Sequence, residues 1–183
     1  MKKKKDLIIG IGGNINSNEG LHPIEVGKKA IKKLQSLSIN IQKISSWYIS
    51  DPIPKNDQPK FFNCVVVGNT FLNENKVLEK LLLVEKQLGR IRINLNDSRS
   101  VDLDLIDYDG KIYKSNNLIL PHPRSHLRRF VMEPIAEVNP FWIHPVFGLN
   151  AKQLSNQLAK QIISIYESNK KIDWFFCAKS LMN

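Results

Sequence analysis

The chain has 183 residues, of which 42% are hydrophobic and 24% are charged, and these proportions are typical of a soluble globular protein that can bury a core without disulfides. No segment approaches the roughly 20 apolar residues that a membrane-spanning helix needs, which excludes a membrane-embedded class. The formal net charge of +10 at pH 7 favours an anionic partner such as a nucleic acid, an acidic surface or a polyphosphate.

The cysteine content and the start of the chain bear on the cellular compartment. Cys64 and Cys177 form no Cys-x-x-Cys or Cys/His motif, which argues against structural zinc and indicates a reducing environment. The lysine run at 2–5 resembles a secretion signal only faintly, because Asp6 interrupts it and the apolar part that follows is very short. We therefore expect a cytoplasmic protein with no membrane partner.

The first third of the chain predicts a strand, a helix and a second strand. The apolar run at 6–12 predicts a buried strand that ends in a glycine-bearing turn. This turn lacks the complete spacing of a dinucleotide-binding or phosphate-binding loop, which favours a simple tight turn. Pro23 can begin a helix, and apolar residues recur at helical spacing as far as Leu34. Residues 39–49 then alternate in polarity, as in a strand.

A proline-rich loop and a third strand follow. Three prolines at 51–59 exclude a central strand or helix and predict a loop long enough to serve as a lid or a binding loop. The strand at 61–71 places Phe61 and Asn63 on one face, because side chains alternate along a strand. An aromatic plane beside an amide suits a flat heterocycle, which is recognised by stacking and by its hydrogen-bonding edge. The alternative for Phe61 is a place in the core.

A second helix begins near Asn73 or Asn75 and ends at Gly89, as capping preferences predict. Glu85 lies beside the apolar stripe of this helix. An acidic residue is unusual there unless it has a cation, a metal or another partner.

Two aspartates and three arginines form the most informative polar cluster. Asp102 and Asp104 alternate along a predicted strand, so both point to one face, roughly 6–7 Å apart at the backbone. This spacing can hold two Mg²⁺ ions about 3.5–4 Å apart. Arg90, Arg92 and Arg99 precede the pair, and arginines bind phosphate oxygens bidentately. The cluster indicates a metal–polyphosphate site; the alternatives are a solvated strand face and aspartates that are simply paired by the arginines.

The last part of the chain completes the predicted architecture. His122 lies between two prolines, which suits a hydrogen-bonding role. The element order predicts an α+β fold with a ferredoxin-like βαββαβ antiparallel sheet and helices packed on it. We expect one catalytic domain at 1–150 and a helical C-terminal extension at 151–183, with Leu154, Leu158 and Ile162 on one face of its helix, packed on the domain or lying at an interface.

Four stretches carry motifs that occur together in one family. They are Ile-Gly-Gly-Asn at 11–14, Ser-Ser-Trp-Tyr through Asp-Gln-Pro-x-Phe-Phe-Asn at 45–63, Arg-Ser-Val-Asp-Leu-Asp at 99–104, and Pro-His-Pro-Arg through Arg-x-Phe-Val at 121–131. The ordered set resembles 6-hydroxymethyl-7,8-dihydropterin pyrophosphokinase of folate biosynthesis, from about residue 7 to 148. The resemblance implies transfer of a diphosphate from ATP to the hydroxymethyl group of the dihydropterin, with release of AMP.

The resemblance also implies roles for individual residues. Asp102 and Asp104 would hold two Mg²⁺ ions that bridge the phosphates of ATP. The implied catalytic residues are Arg90, Arg99, Asp102 and Asp104. The implied pterin-binding residues are Phe61, Asn63, Glu85, Arg128 and Phe130. The implied ATP contacts are Arg90, Arg92, Arg99 and His122. The loops at 52–59 and 90–98 correspond to mobile loops that close over the substrates and exclude water.

One departure and two alternatives remain. The family often carries Arg-Trp-Gly-Pro before its signature arginine, whereas this chain has Leu-Asn-Asp-Ser at 95–98, so a catalytically inactive relative is one alternative. An RNA-recognition module is the other, but the third strand, with Cys-Val-Val-Val at 64–67, lacks the aromatic pattern of such modules. We therefore expect small-molecule substrates, no nucleic-acid partner and a monomer.

Overall fold

The computed structural model describes residues 3–90 and 97–167. Its elements are β1 (Lys5–Gly13), α1 (Pro23–Ser36), β2 (Ile39–Ile44), β3 (Tyr48–Ser50), β4 (Phe61–Thr70), α2 (Glu74–Gln87), β5 (Asp102–Tyr108), β6 (Tyr113–Lys114), β7 (Ile119–Leu120), α3 (Arg129–Val138), α4 (Ala151–Gln157) and β8 (Ile163–Ile165). A single 3-10 turn, Ser125–Leu127, precedes α3. Within the described ranges, no helix is long and apolar enough to cross a bilayer.

An antiparallel sheet forms the centre of the fold, in the order β5-β1-β4-β3-β8, with β2 also paired to β4. The expected α+β class with helices packed on an antiparallel sheet is confirmed. The single strand predicted at 39–49 is instead two strands, β2 and β3. Ser45 interrupts the pairing, because its hydroxyl accepts from the N–H of Val65 while its own N–H donates to the Val65 carbonyl.

The two faces of the sheet bury separate apolar clusters. Ile9 lies in the cluster between the sheet, α1 and α2. Its neighbour Ile8 lies in the cluster between the opposite face, α3 and α4, as the alternation of side chains along a strand requires.

Close packing of α1 on Trp47 requires glycine at position 27. We expect Gly27→Ala to lower the free energy of unfolding by about 1–2 kcal/mol, since overpacking outweighs the better helix propensity of alanine. A Cβ at this position would lie 2.3 Å from Cη2 of Trp47, whose side chain is buried. Urea denaturation would measure the effect. Lys32→Ala, on the exposed side of α1, is the control, and a Gly27→Ala protein as stable as that control would contradict the packing argument.

The C-terminal extension is only partly helical in the described range. α4 ends at Gln157, and β8 adds a strand to the free edge of β3. Ile162, expected on a helix, precedes this strand and is 79% exposed. The unpaired backbone groups of an edge strand favour such an addition, whereas the apolar spacing alone suggested a longer helix. Residues 168–183 lie outside the described ranges, and the domain boundary at 150 stays a prediction.

Candidate active site

A pocket lies where β1, β4 and β5 meet the start of α3 and the loop that follows β3. Seven of the residues predicted from sequence line it together: Phe61, Asn63, Arg99, Asp102, Asp104, Arg128 and Phe130. They come from separate parts of the chain, and the antiparallel pairing of β1 with both β4 and β5 brings them to one face. The loop residues Pro52, Ile53 and Pro54 form one side of the same pocket.

Glycines of β1 keep the floor of the pocket open. Gly12 pairs with Asp102 and Gly10 pairs with Asp104. A Cβ at Gly12 would lie 3.0 Å from Oδ1 of Asn63, and one at Gly10 would lie 4.0 Å from Cβ of Asp104. Sequence analysis assigned these glycines to a strand and a turn and missed their place in the pocket. The sequence feature that could have indicated this place is the alternation of glycine with isoleucine in β1.

The aromatic and amide groups of the pocket have fixed neighbours. Asn63, 6% exposed, donates from Nδ2 to the hydroxyl of Ser50 at 3.0 Å, which sets the orientation of the amide and turns Oδ1 towards Gly12. The Arg99 guanidinium lies 5.8 Å from the Phe61 ring centroid, and that of Arg128 lies 5.6 Å from the ring of Phe130. Each ring therefore has a cation within cation–π range.

Asp102 is paired by arginines. Arg90 donates to its Oδ1, and Nη1 of Arg99 lies 3.1 Å from its Oδ2. Both arginine side chains are largely buried. The alternative in which the arginines pair the aspartates thus holds for Asp102.

Asp104 is less well compensated. Its nearest basic groups are Nη1 of Arg128 at 3.7 Å and Nε2 of His122 at 3.9 Å, both beyond hydrogen-bonding distance. Burial and the charge of Asp102 raise the pKa of Asp104, although His122 and Arg128 oppose the rise. A carboxylate in this situation gains from a further cation.

The two aspartates fit a magnesium site. In residues 3–90 and 97–167 no group of three or more histidine, cysteine or acidic side chains could hold a metal ion by itself. Mg²⁺ is usually held by one or two carboxylates together with substrate phosphates and water. Asp102 and Asp104 supply two carboxylates on one face, next to the glycines of β1. A phosphate ligand and water would complete the set of Mg²⁺ ligands.

Glu85 lies outside the pocket. Its carboxylate, 2% exposed, accepts from Arg90 and, at 2.8 Å, from the backbone N–H of Leu103. Leu103 is the residue between the two aspartates. The cation that sequence analysis required for an acidic residue beside an apolar stripe is therefore Arg90, and Glu85 is not among the residues that line the pocket.

A second groove meets the pocket at Asp104. It runs between α2, β5 and the segment before β7, shares Asp104 with the pocket, and is also lined by His122. Its walls are mainly leucine and asparagine: Leu78, Leu82, Leu103, Leu105, Asn116, Asn117 and Leu118. Sequence analysis did not identify this groove, since its leucines follow ordinary helix and strand spacing and only the fold brings them together.

His122 presents one nitrogen to this junction. Its Nδ1 accepts from the N–H of Arg124 at 3.2 Å, so the neutral ring carries its proton on Nε2, on the side of Asp104. Burial lowers the pKa of His122, although Asp104 opposes the shift. The backbone N–H of His122 donates to the Ile106 carbonyl of β5, which fixes the residue beside the strand.

Asn14 joins the two loops that border the site. Its side-chain amide donates to Gln58 at 3.2 Å and to the Pro59 carbonyl at 3.3 Å, while its Oδ1 accepts from the N–H of Arg99 at 2.8 Å. The turn that seemed merely tight from sequence thus holds both loops. Arg92 lies outside the described residues, as do positions 95 and 96 of the segment that departs from the resembled motif.

Comparisons with known proteins agree with this geometry. The chain matches the family model described as 7,8-dihydro-6-hydroxymethylpterin-pyrophosphokinase (HPPK) over residues 8–140. It is 34% identical over 152 residues to 2-amino-4-hydroxy-6-hydroxymethyldihydropteridine pyrophosphokinase of Synechocystis sp., which covers 82% of this chain and 75% of that protein. The protein of the same name from Haemophilus influenzae is 32% identical over 154 residues, 84% of this chain and 90% of that protein.

Longer proteins also contain a similar section. Folic acid synthesis protein fol1 of Pneumocystis carinii is 34% identical over 174 residues, 93% of this chain but 23% of that protein. A crystal structure of Plasmodium falciparum HPPK-DHPS superimposes with a TM-score of 0.67 at 14% identity, over 87% of this chain and 45% of that one. At this identity the likeness shows the fold. The chain therefore spans about a quarter of fol1 and less than half of the solved protein.

Proposed function

Because the chain belongs to the 7,8-dihydro-6-hydroxymethylpterin-pyrophosphokinase family, as the four motifs had indicated, we propose that its pocket and groove carry out the pyrophosphokinase reaction of folate biosynthesis. ATP transfers a diphosphate to the hydroxymethyl group of 6-hydroxymethyl-7,8-dihydropterin, and AMP leaves. The observation that carries the assignment is the position of Asp104, which lines both the pocket and the groove. A substrate in the pocket and a substrate in the groove would therefore meet at the carboxylates of Asp102 and Asp104.

The pterin binds in the pocket of β1, β4 and α3. Phe61 and Phe130 offer aromatic faces for the flat ring, and Asn63, held by Ser50, offers an oriented amide for its polar edge. Arg128, between Phe130 and Asp104, supplies a cation next to the hydroxymethyl end. Glu85 contributes from behind β5, through Arg90 and Leu103, rather than by direct contact.

The nucleotide binds in the leucine-lined groove. Leu78, Leu105 and Leu118 offer an apolar slot for the adenine, and Asn116 and Asn117 can meet its polar edge. The triphosphate then extends towards Asp104, where Nε2–H of His122 can donate to a phosphate oxygen.

Arg90 and Arg99 turn from the carboxylate of Asp102 to the phosphates when the nucleotide binds. Both now hold the carboxylate of Asp102, and arginine fits a phosphate as well as it fits a carboxylate. The proposal assigns Arg92 to the same phosphates, although it lies outside the described residues. Positively charged groups at the reacting phosphorus favour transfer mainly by positioning and by charge neutralisation.

Asp102 and Asp104 hold Mg²⁺ in this proposal, and two ions is the proposed number. Bound Mg²⁺ would neutralise charge on the transferring phosphates and align them with the attacking hydroxyl. Asp102 becomes free for this role as its arginines turn to the nucleotide, and Asp104, which lacks a hydrogen-bonded cation within the described residues, is already disposed towards one. The loops at 52–59 and 90–98, whose described parts are joined through Asn14, would close over the site and keep water from competing with the hydroxyl.

The reaction is tested by its products. Purified protein with Mg²⁺, ATP and the hydroxymethyl-dihydropterin should form AMP in step with the pterin diphosphate, which chromatography separates from ADP. Formation of ADP would overturn the pyrophosphokinase assignment. Binding of both substrates without AMP would instead favour the catalytically inactive relative suggested by the Leu-Asn-Asp-Ser segment at 95–98.

We also propose a fold type and a state for the protein. The sheet order β5-β1-β4 with β2 and β3 next to β4 supports a ferredoxin-like core to which β8 is an addition. A monomer in the cytoplasm, without a nucleic-acid partner, is the proposed state of the protein, because both proposed substrates are small molecules and both proposed sites lie within one chain.

A further inference from the structure

The C-terminal extension contacts the segment that carries Arg128 and Phe130. Gln161 bridges that segment on both sides of Arg128: its Nε2 donates to the Leu127 carbonyl at 2.8 Å, and its Oε1 accepts from the Arg129 N–H at 2.8 Å. The Arg129 side chain returns the contact by donating to the Gln161 carbonyl at 3.1 Å. The backbone on either side of Arg128 is thus fixed by a residue 33 positions further along the chain.

The bridge completes the N-terminus of α3. The first N–H groups of a helix have no partner within the helix, and a side chain of the preceding residue usually accepts from one of them. The residue in that position here is Arg128, which makes no such hydrogen bond and has no acceptor to offer. Gln161 supplies the missing acceptor from outside the helix, at the turn where Phe130 faces the pocket.

The same extension reaches the opposite side of the pocket. Two residues after Gln161, β8 pairs with β3, with Ile163 opposite Ser50. Ser50 accepts the hydrogen bond that orients Asn63. Residues 161–165 therefore connect the wall that carries Arg128 and Phe130 to the wall that carries Asn63.

We propose that Gln161 is a positioning residue for the pterin site, which caps α3 from the C-terminal extension and holds Arg128 and Phe130 at the distance from Asn63 that the pterin ring requires. The proposal rests on the pyrophosphokinase assignment for the identity of the ligand. The capping interaction itself is independent of that assignment and can be measured without turnover.

The test compares Gln161→Ala with wild type. Loss of two hydrogen bonds at a helix start predicts a KM for the dihydropterin about five- to tenfold higher, with the KM for ATP within about twofold. Hydrogen exchange of the amides of residues 129–131 should be faster by about the same factor. Gln161→Glu retains an acceptor for Arg129 and places a negative charge at the helix start, which is favourable, but cannot donate to Leu127. The Gln161→Glu variant should restore slow exchange and bring the KM for the dihydropterin part of the way back to the wild-type value.

Gln157→Ala is the matched control. Gln157 is an exposed glutamine of the same extension, with no side-chain hydrogen bond in the described ranges, and its variant should match wild type in both KM values and in exchange. The proposal is overturned if Gln161→Ala also matches wild type, or if it raises both KM values equally while lowering the melting temperature, since that result indicates general destabilisation. If wild type itself forms no AMP, the function fails, whereas the exchange comparison and a fluorescence titration with the dihydropterin still test the positioning role.

Discussion

Replacing Asp104 with alanine should reduce AMP formation by at least about a thousandfold, because a residue that holds the metal at the transferring phosphates lowers the barrier by several kcal/mol. Asp104 is the carboxylate that lines both the proposed pterin pocket and the proposed nucleotide groove. Within the described residues, the other carboxylate on this face of β5 is Asp102, two positions before it. The steady-state rate of AMP release at saturating ATP and Mg²⁺ measures the effect.

Removing the charge of Asp104, by substitution with asparagine, should leave the fold intact. An acid whose pKa is raised in the folded protein binds protons more tightly there than in the unfolded chain, so its ionised form opposes folding at pH 7. Burial and Asp102 raise the pKa of Asp104. The metal-free Asp104→Asn protein should therefore unfold at an equal or higher urea concentration than wild type.

A control separates the site from the general effect of removing a charge. Asp6, an exposed residue of β1, lies on a strand adjacent to β5, and Asp6→Asn should change neither AMP formation nor stability by a measurable amount. Near-normal AMP formation by Asp104→Ala would contradict the metal-binding role. Loss of activity together with a collapse of cooperative unfolding would show that the residue is structural.

Local patterns predicted the parts of the site that lie on regular strands. The alternation of Asp102 with Asp104 and of Phe61 with Asn63 gave the correct shared faces, because strand geometry fixes side-chain direction whatever the neighbouring strands are. The pocket residue Gly12 was not identified, since the absence of a side chain carries meaning only when the residues across the sheet are known.

Contacts between residues far apart in the sequence could not be predicted from local patterns. The role of Asn14 depends on two loops that are more than 40 positions away, and that of Gln161 on two residues that lie 32 and 34 positions before it. Neither residue type nor spacing indicates such partners. The extension was expected to be a longer helix for the same reason: the free edge of β3, which pairs with β8, is a property of the folded sheet.

Glu85 was expected to contact the pterin, and its buried carboxylate contacts Arg90 and the backbone of β5, which favours a supporting role. We expect Glu85→Ala to lower the free energy of unfolding by about 3 kcal/mol or more, because breaking a buried ion pair leaves the remaining charge without compensation. The variant leaves Arg90 without this carboxylate and removes the acceptor of the Leu103 N–H. Glu85→Gln retains an oxygen for Leu103 and should lose about half as much.

Urea denaturation of Glu85→Ala, Arg90→Ala and the double variant forms a cycle that isolates the pair. If Glu85 acts through Arg90, the double variant should lose about 2 kcal/mol less than the sum of the single variants. Glu79→Ala is the matched control, since Glu79 lies on the same helix in an exposed pair with Lys76 and should cost less than about 1 kcal/mol. Additive losses would contradict the supporting role of Glu85. A Glu85→Ala protein that keeps full stability and shows only a raised KM for the pterin would do the same, and would favour direct contact of Glu85 with the substrate. A coupled loss of stability, with both KM values and AMP formation affected, would establish that the aspartate pair depends on a carboxylate buried behind its strand.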